Sequence, residues 1–115
     1  MTKDQISTSC RKAVEQGYTI ITDGWGKEAT KTCCPLRACL IANGDKSDSW
    51  DSHYPAFVQD KVRKLLGISE QWITSFCAGL SNSYYESIRR EFVVDPKIFK
   101  LGQDINEHYI QKRQW

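Results

Sequence analysis

Residues 55–80 read PAFVQDKVRKLLGISEQWITSFCAGL. Pro55 suits the first position of a helix, where its fixed φ is already helical and its missing N–H is not needed. Phe57, Val58, Val62, Leu65 and Leu66 then recur at helical spacing. Gly67 supplies the left-handed stop. Ser69 follows as the cap of a second helix, with Ile68 before it and Ile73 after it placed as a hydrophobic staple. Ile73, Phe76, Cys77 and Leu80 form that helix's apolar face. Two capped helices in 26 residues set the expectation for the whole chain.

The same signals extend outward. Thr2 and Gln5 match a capping box, after which Ile6, Cys10, Ala13 and Val14 lie on one helical face and Gly17 ends it. A helix from Pro35 carries Leu36, Cys39 and Leu40 on its apolar side and ends at Gly44. Beyond residue 80, Ser81, Asn82 and Ser83 break the chain. A further helix carries Tyr84, Tyr85, Ile88 and Phe92, and a last one starts at Asp95 and Pro96 with Ile98, Leu101, Ile105 and Tyr109 on one face. Residues 18–22 (YTIIT) are the one strand-like run, ending at the turn pair Asp23 and Gly24, with 91–94 as the only other candidate. The expected fold is mainly α: a single compact domain, 1–115, of five or six short helices, with at most a minor two-stranded ribbon.

Composition agrees. The 115 residues are 40% hydrophobic and 26% charged, as in a globular domain, and the net charge is +2. That balance is too mild to announce a nucleic-acid or membrane binder. No run approaches the roughly 18–20 apolar residues of a membrane span. The N-terminal residues lack the apolar core of a secretory signal, so the expected address is the cytoplasm. The charge is uneven in one place: residues 45–60 carry four acidic side chains (Asp45, Asp48, Asp51, Asp60) and one basic (Lys46), for −3.

Five cysteines cannot all pair within the chain. Cys33 and Cys34 stand just before Pro35, at a helix start, where backbone N–H groups and the helix dipole favour a thiolate. They are the reactive-thiol candidates. Cys10, Cys39 and Cys77 fall on apolar faces as small buried hydrophobes. Zinc needs about four ligands. Cys33, Cys34, Cys39, His53 and His108 offer no finger-like spacing, and the aspartates at 45, 48 and 51 lack the pattern of a calcium loop, so no metal or cofactor is expected. No Cys–His pairing is selected by spacing, and no glycine loop precedes a helix as a phosphate cradle would. The chain is therefore read as a non-enzyme.

Residues 59–76 resemble a helix-turn-helix. Val62, Leu66, Gly67, Ile68, Ser69, Ile73 and Phe76 stand where that motif places its apolar residues, turn glycine and cap. The resemblance implies DNA binding through Glu70, Gln71, Trp72, Thr74 and Ser75 in the major groove. Two departures weigh against it. Arg63 stands where the motif holds a small residue, and residues 70–80 carry no Arg or Lys for phosphate contacts.

The tryptophans give the leading functional expectation. Trp25 lies between glycines, Trp50 among aspartates and serines, and Trp115 is the last residue. None sits on an amphipathic helix that would bury it, and tryptophan is favoured at interface hot spots. The reading is a small intracellular binding or regulatory module acting on a protein partner or by self-association. Trp25, Trp50 and Trp115 would anchor the contact, with Asp48 and Asp51 on its polar rim. DNA binding is the alternative, and thiol-redox or zinc chemistry a third.

Overall fold

The computed structural model of the chain describes residues 1–22, 24–44, 55–81, 85, 89–90 and 92–109. Helices dominate: α1 (Lys3–Glu15), α2 (Pro35–Ala42), α3 (Pro55–Leu66), α4 (Glu70–Leu80) and α5 (Pro96–Tyr109), with two short strands, β1 (Thr19–Ile20) and β2 (Thr32–Cys33). None of the described helices is long and apolar enough to cross a membrane. The chain divides into two compact units, Met1–Ile68 and Ser69–Trp115.

In the first unit, α1 starts as its sequence dictates. Thr2 Oγ1 accepts from Gln5 N at 3.2 Å, and Gln5 Oε1 accepts from Thr2 N at 2.8 Å, closing the box. At the other end Gly17 adopts φ +95°, and the N–H groups of Gly17 and Tyr18 turn back onto the carbonyls of Val14 and Ala13. That is the double bond of a glycine-terminated helix, and it aims the chain into β1. Ile6, Cys10 and Ala13 are buried, whereas Val14 is 46% exposed, one position off the face expected for it.

α2 departs from a simple amphipathic helix. Pro35, Leu36, Arg37, Ala38, Cys39 and Leu40 are all buried, so its first turns are covered on every side. Such burial identifies α2 as the centre of the unit. Each Leu, Ile or Phe sequestered this way contributes about 1.5–3 kcal/mol relative to an exposed one. α3 ends at Gly67 (φ +66°) as expected. Val62 is buried, but Leu65 is 54% exposed, and the Phe57 and Val58 side chains lie outside the described ones.

The strand-like run is shorter than expected and its partner is elsewhere. Thr19 and Ile20 pair in parallel with Thr32 and Cys33, not with residues 91–94. Thr19 N donates to Lys31 O and Ile21 N to Cys33 O. A strand of two residues, Thr32 and Cys33, leaves no run of apolar or β-branched residues, so β2 carries no signal in the sequence. Its position follows from the helix behind it: β2 leads directly into α2.

In the second unit, Ser69 caps α4 by accepting from Trp72 N at 3.1 Å. Asp95 caps α5, its Oδ1 accepting from Lys97 N at 2.9 Å. The two helices meet at Gly79 and Gly102. A Cβ on Gly79 would stand 3.0 Å from Gly102 Cα and inside contact with the Phe99 carbonyl, and one on Gly102 would collide with the Phe76 carbonyl. This approach fixes the rotation of α5. Phe99, Gly102 and Ile105 face inward, where the sequence pattern suggested Ile98, Leu101, Ile105 and Tyr109; of these only Ile105 is buried. Ser75 Oγ accepts from Asp95 N at 2.9 Å, and Asn106 Nδ2 donates to Leu80 O, so polar bonds tie the pair on either side of the glycines. Phe92, expected on a packed helical face, is 49% exposed; Tyr84 and Ile88 lie outside the described residues.

Candidate functional site

The best-defined arrangement of polar side chains surrounds the loop from Ile21 to Lys31, which carries Trp25. This loop is the connection between the two parallel strands, and parallel pairing always demands a connection that returns to the starting edge. Its return is fastened at successive residues. Trp25 O accepts from Cys34 N at 3.1 Å, Gly26 O accepts from Arg37 Nη1 at 2.7 Å, and Lys27 exchanges bonds with Thr32 through both its N–H and its carbonyl. Gly26 has φ +90°, and a Cβ there would press on the β2 backbone, 2.6 Å from Cys33 Cα. Only glycine fits such a position.

Arg37 is the fastener. Its side chain is 1% exposed and rises from the buried helix α2 to the loop carbonyl, with Nη2 4.0 Å from Glu28 Oε2. Glu28 in turn accepts from Lys31 Nζ at 2.6 Å and from the Tyr18 hydroxyl at 2.6 Å. The Lys31 ammonium also lies 4.8 Å from the centre of the Tyr18 ring. Lys31 adopts φ +51°, a left-handed conformation uncommon outside glycine, and its bond to Glu28 holds the turn in that shape.

The donors around Glu28, Lys31 first and Tyr18 second, hold its carboxyl below the ordinary value of 4.5. Burial, and then the hydrogen bond to Glu28, push the Tyr18 hydroxyl above 10.0. The signs are opposite. Glu28 contributes stability that is present above its unfolded value and lost as pH falls through the folded one. Tyr18 contributes stability that is present below its unfolded value and lost as pH rises through the folded one. Glu28→Gln is therefore expected to flatten the acid side of the stability profile between about pH 5 and pH 3. Urea midpoints measured across that range check it, and an unchanged acid limb would show that the carboxylate has no such role.

Cys33 and Cys34 differ from expectation in the direction of their chemistry. Cys34 does cap α2: its Sγ accepts from Arg37 N at 3.4 Å, and the N–H groups of Arg37 and Leu36 pull its pKa down. Burial outweighs them. Cys34 is 4% exposed and its thiol is pushed up to about 11. Cys33 is fully buried, and burial, then the neighbouring Cys34, push it up to about 12. Desolvation of a thiolate costs more than one helix end returns. Among the described residues no three His, Cys, Asp or Glu side chains gather where they could hold a metal.

The helix-turn-helix residues divide. Gln71 is exposed and Thr74 half-buried, while Trp72 stacks on Phe76 with ring centres 4.9 Å apart. Ser75 is buried and bonded to Asp95, so it serves the packing of α4 against α5 and is turned away from any groove. The reason is its phase: it lies four residues before Gly79, on the face that meets α5.

Of the tryptophans nominated from sequence, Trp25 is half-buried in the fastened loop. Trp50, Asp48, Asp51 and Trp115 lie outside the described residues. Sequence reasoning missed Arg37, Glu28 and Tyr18. The one available signal was a cation inside the apolar run from Pro35 to Ala42. Compared with known proteins, the chain matches no family model, no curated protein and no solved structure.

Proposed function

We propose that the chain is a small non-enzymatic binding module that acts through protein–protein contacts, with Trp25 as an anchor. The observation that carries this reading is the setting of Trp25. A half-buried indole stands on a loop whose backbone is bonded at residues 25, 26 and 27 to β2 and α2. A loop backbone held in place before the partner arrives loses little entropy on binding, and aromatic side chains are enriched among the residues that dominate interface energetics. Trp50, flanked by Asp48 and Asp51, and Trp115 are the further contacts that the sequence supplies to the same reading.

A photo-crosslinking residue at position 25 tests this in extract of the source cell. A discrete protein adduct is expected from position 25 and not from the exposed control position Arg11. Trp25→Ala should weaken capture of that protein by at least about tenfold, in keeping with hot-spot truncations, with a circular-dichroism melt close to that of the parent chain. An adduct pattern identical to the Arg11 control would end the proposal.

A further inference from the structure

The last turn of α2 ends on a pair of residues with chemistry of its own. Asn43 is followed by Gly44, and of the asparagines at 43, 82 and 106 it alone precedes a glycine. A glycine has no Cβ to shield its backbone nitrogen, so that nitrogen can approach the preceding side-chain amide closely. Asn43 is the C-cap, at φ −90° and ψ 13°, and Gly44 follows at φ +86° with open space where a Cβ would stand. Three bonds restrain the pair. Cys39 O accepts from Asn43 N at 3.2 Å and from Asn43 Nδ2 at 2.9 Å, and Ile41 O accepts from Gly44 N at 3.0 Å. The side-chain amide and the nitrogen that would attack it are thus each tied back into the helix. Water reaches both: Asn43 and Gly44 are exposed, and Asn43 stands on the wall of a groove of about 490 Å³ that Thr8, Ser9 and Leu66 also line.

We propose that Asn43 is a site of spontaneous modification by water, gated by opening of the last turn of α2. Gly44 N, its proton lost to solvent base, attacks Asn43 Cγ. The new bond joins Cγ to Gly44 N, the bond from Cγ to Nδ2 breaks, and Nδ2 takes a proton from solvent and leaves as ammonia. Water then opens the five-membered imide at either carbonyl, giving aspartate or isoaspartate at position 43. One water is consumed and one ammonia released, with no oxidant or reductant. The ring closes only when Gly44 N has turned about the Cα–C bond until it eclipses Cβ, far from the ψ of 13° that the cap holds. The bonds from Gly44 N to Ile41 O and from Asn43 Nδ2 to Cys39 O must therefore break first. Helix ends open far more readily than the whole fold, so the gate is local. The product puts a carboxylate beside the last carbonyls of α2, where a helix end already carries partial negative charge. Isoaspartate also lengthens the main chain by one carbon, so the cap cannot re-form as it was.

Mass spectrometry of the full chain, incubated at mildly alkaline pH and mapped by peptides, tests this. The folded chain should undergo amide-to-acid conversion at position 43, and the same chain unfolded in urea should convert there about ten- to hundredfold faster, as the loss of two net hydrogen bonds implies. Ala42→Gly loosens the last turn and should speed conversion of the folded chain about fivefold while leaving the rate in urea unchanged. Hydrogen exchange of the Gly44 amide reads the same opening without any substitution. Its protection in the folded parent should equal the slowing of conversion to within about threefold. Equal rates in the folded and unfolded chains would show that the cap gates nothing. A folded chain that stays unconverted while the unfolded one converts fully would remove the site. A Gly44 amide far less protected than the conversion is slowed would place the gate elsewhere. Any of these results overturns the proposal.

Discussion

Arg37→Ala is expected to lower the free energy of unfolding by about 4 kcal/mol, the largest effect of any single substitution in the first unit. Two losses combine. The bond from Arg37 Nη1 to Gly26 O is charge-assisted and part-buried, and bonds to charged groups contribute about 1.5–3 kcal/mol. Truncation then empties the space of a side chain that is 1% exposed, at a further cost of about 2 kcal/mol or more. Stranding of Glu28 adds little, because its carboxylate keeps Lys31 and Tyr18 and is 26% exposed. Arg37→Met separates the two losses. It refills most of the volume without the donor and should cost about 2 kcal/mol. Chemical denaturation of both variants decides the matter, and a loss below about 1 kcal/mol for Arg37→Ala would mean that the loop is held by its other bonds. Fluorescence of the loop tryptophan supplies a second reading, since release of Gly26 O should expose the indole before the helices melt.

The second large effect is a reversal of sign. In a free helix, replacing glycine by alanine is worth about 1 kcal/mol in favour of the helix. At Gly102 the added methyl would stand 2.9 Å from Leu80 N and 3.0 Å from Gly79 Cα, and inside contact with the Phe76 carbonyl. These neighbours are backbone, which cannot rotate aside as a side chain can. The helices must part, and overpacking of this kind costs about 1–3 kcal/mol, occasionally more. Gly102→Ala is thus expected to destabilise by about 2 kcal/mol net and to lower the melting temperature by about 10 °C. Gly79→Ala should behave alike, because its methyl would meet the Phe99 carbonyl and lie 3.0 Å from Gln103 N. Variants that melt higher than the parent, the outcome that propensity alone gives, would show that the crossing is looser than described.

What could be read from the residues alone was the local chemistry of helix ends. Thr2, Ser69 and Asp95 cap, and Gly17, Gly44 and Gly67 stop, because a cap or a stop is decided within four residues. Features decided between distant residues were not visible. Arg37 looks like the polar side of an amphipathic helix until the loop eleven residues upstream folds over it. The Cys34 thiol has the helix end expected of it, yet its pKa follows from the burial of α2 on every side. The rotation of α5 follows from Gly79, on another helix. A glycine inside a helical pattern does usually mark close packing, so that signal was present at both 79 and 102. What it lacked was a partner. Trp25 is a case of the same kind: its loop is fixed by Cys34 and Arg37, residues that no pattern around it names.

The meeting of Gly79 and Gly102 also limits how a lineage carrying this fold can drift. Most exposed positions on α4 and α5 can change one at a time, since nothing opposite them must answer. A methyl group at either glycine requires the opposing backbone to move away, and the bonds from Asp95 to Ser75 and from Asn106 to Leu80 resist that movement from either side. The two sites are therefore energetically coupled, and substitutions at both are not expected to add. A distant descendant would hold small residues at both, or would have replaced both along with the polar ties around them. Paired glycines on two helices, with a capping aspartate bonded to a serine on the earlier helix, thus make one unit that changes together or not at all.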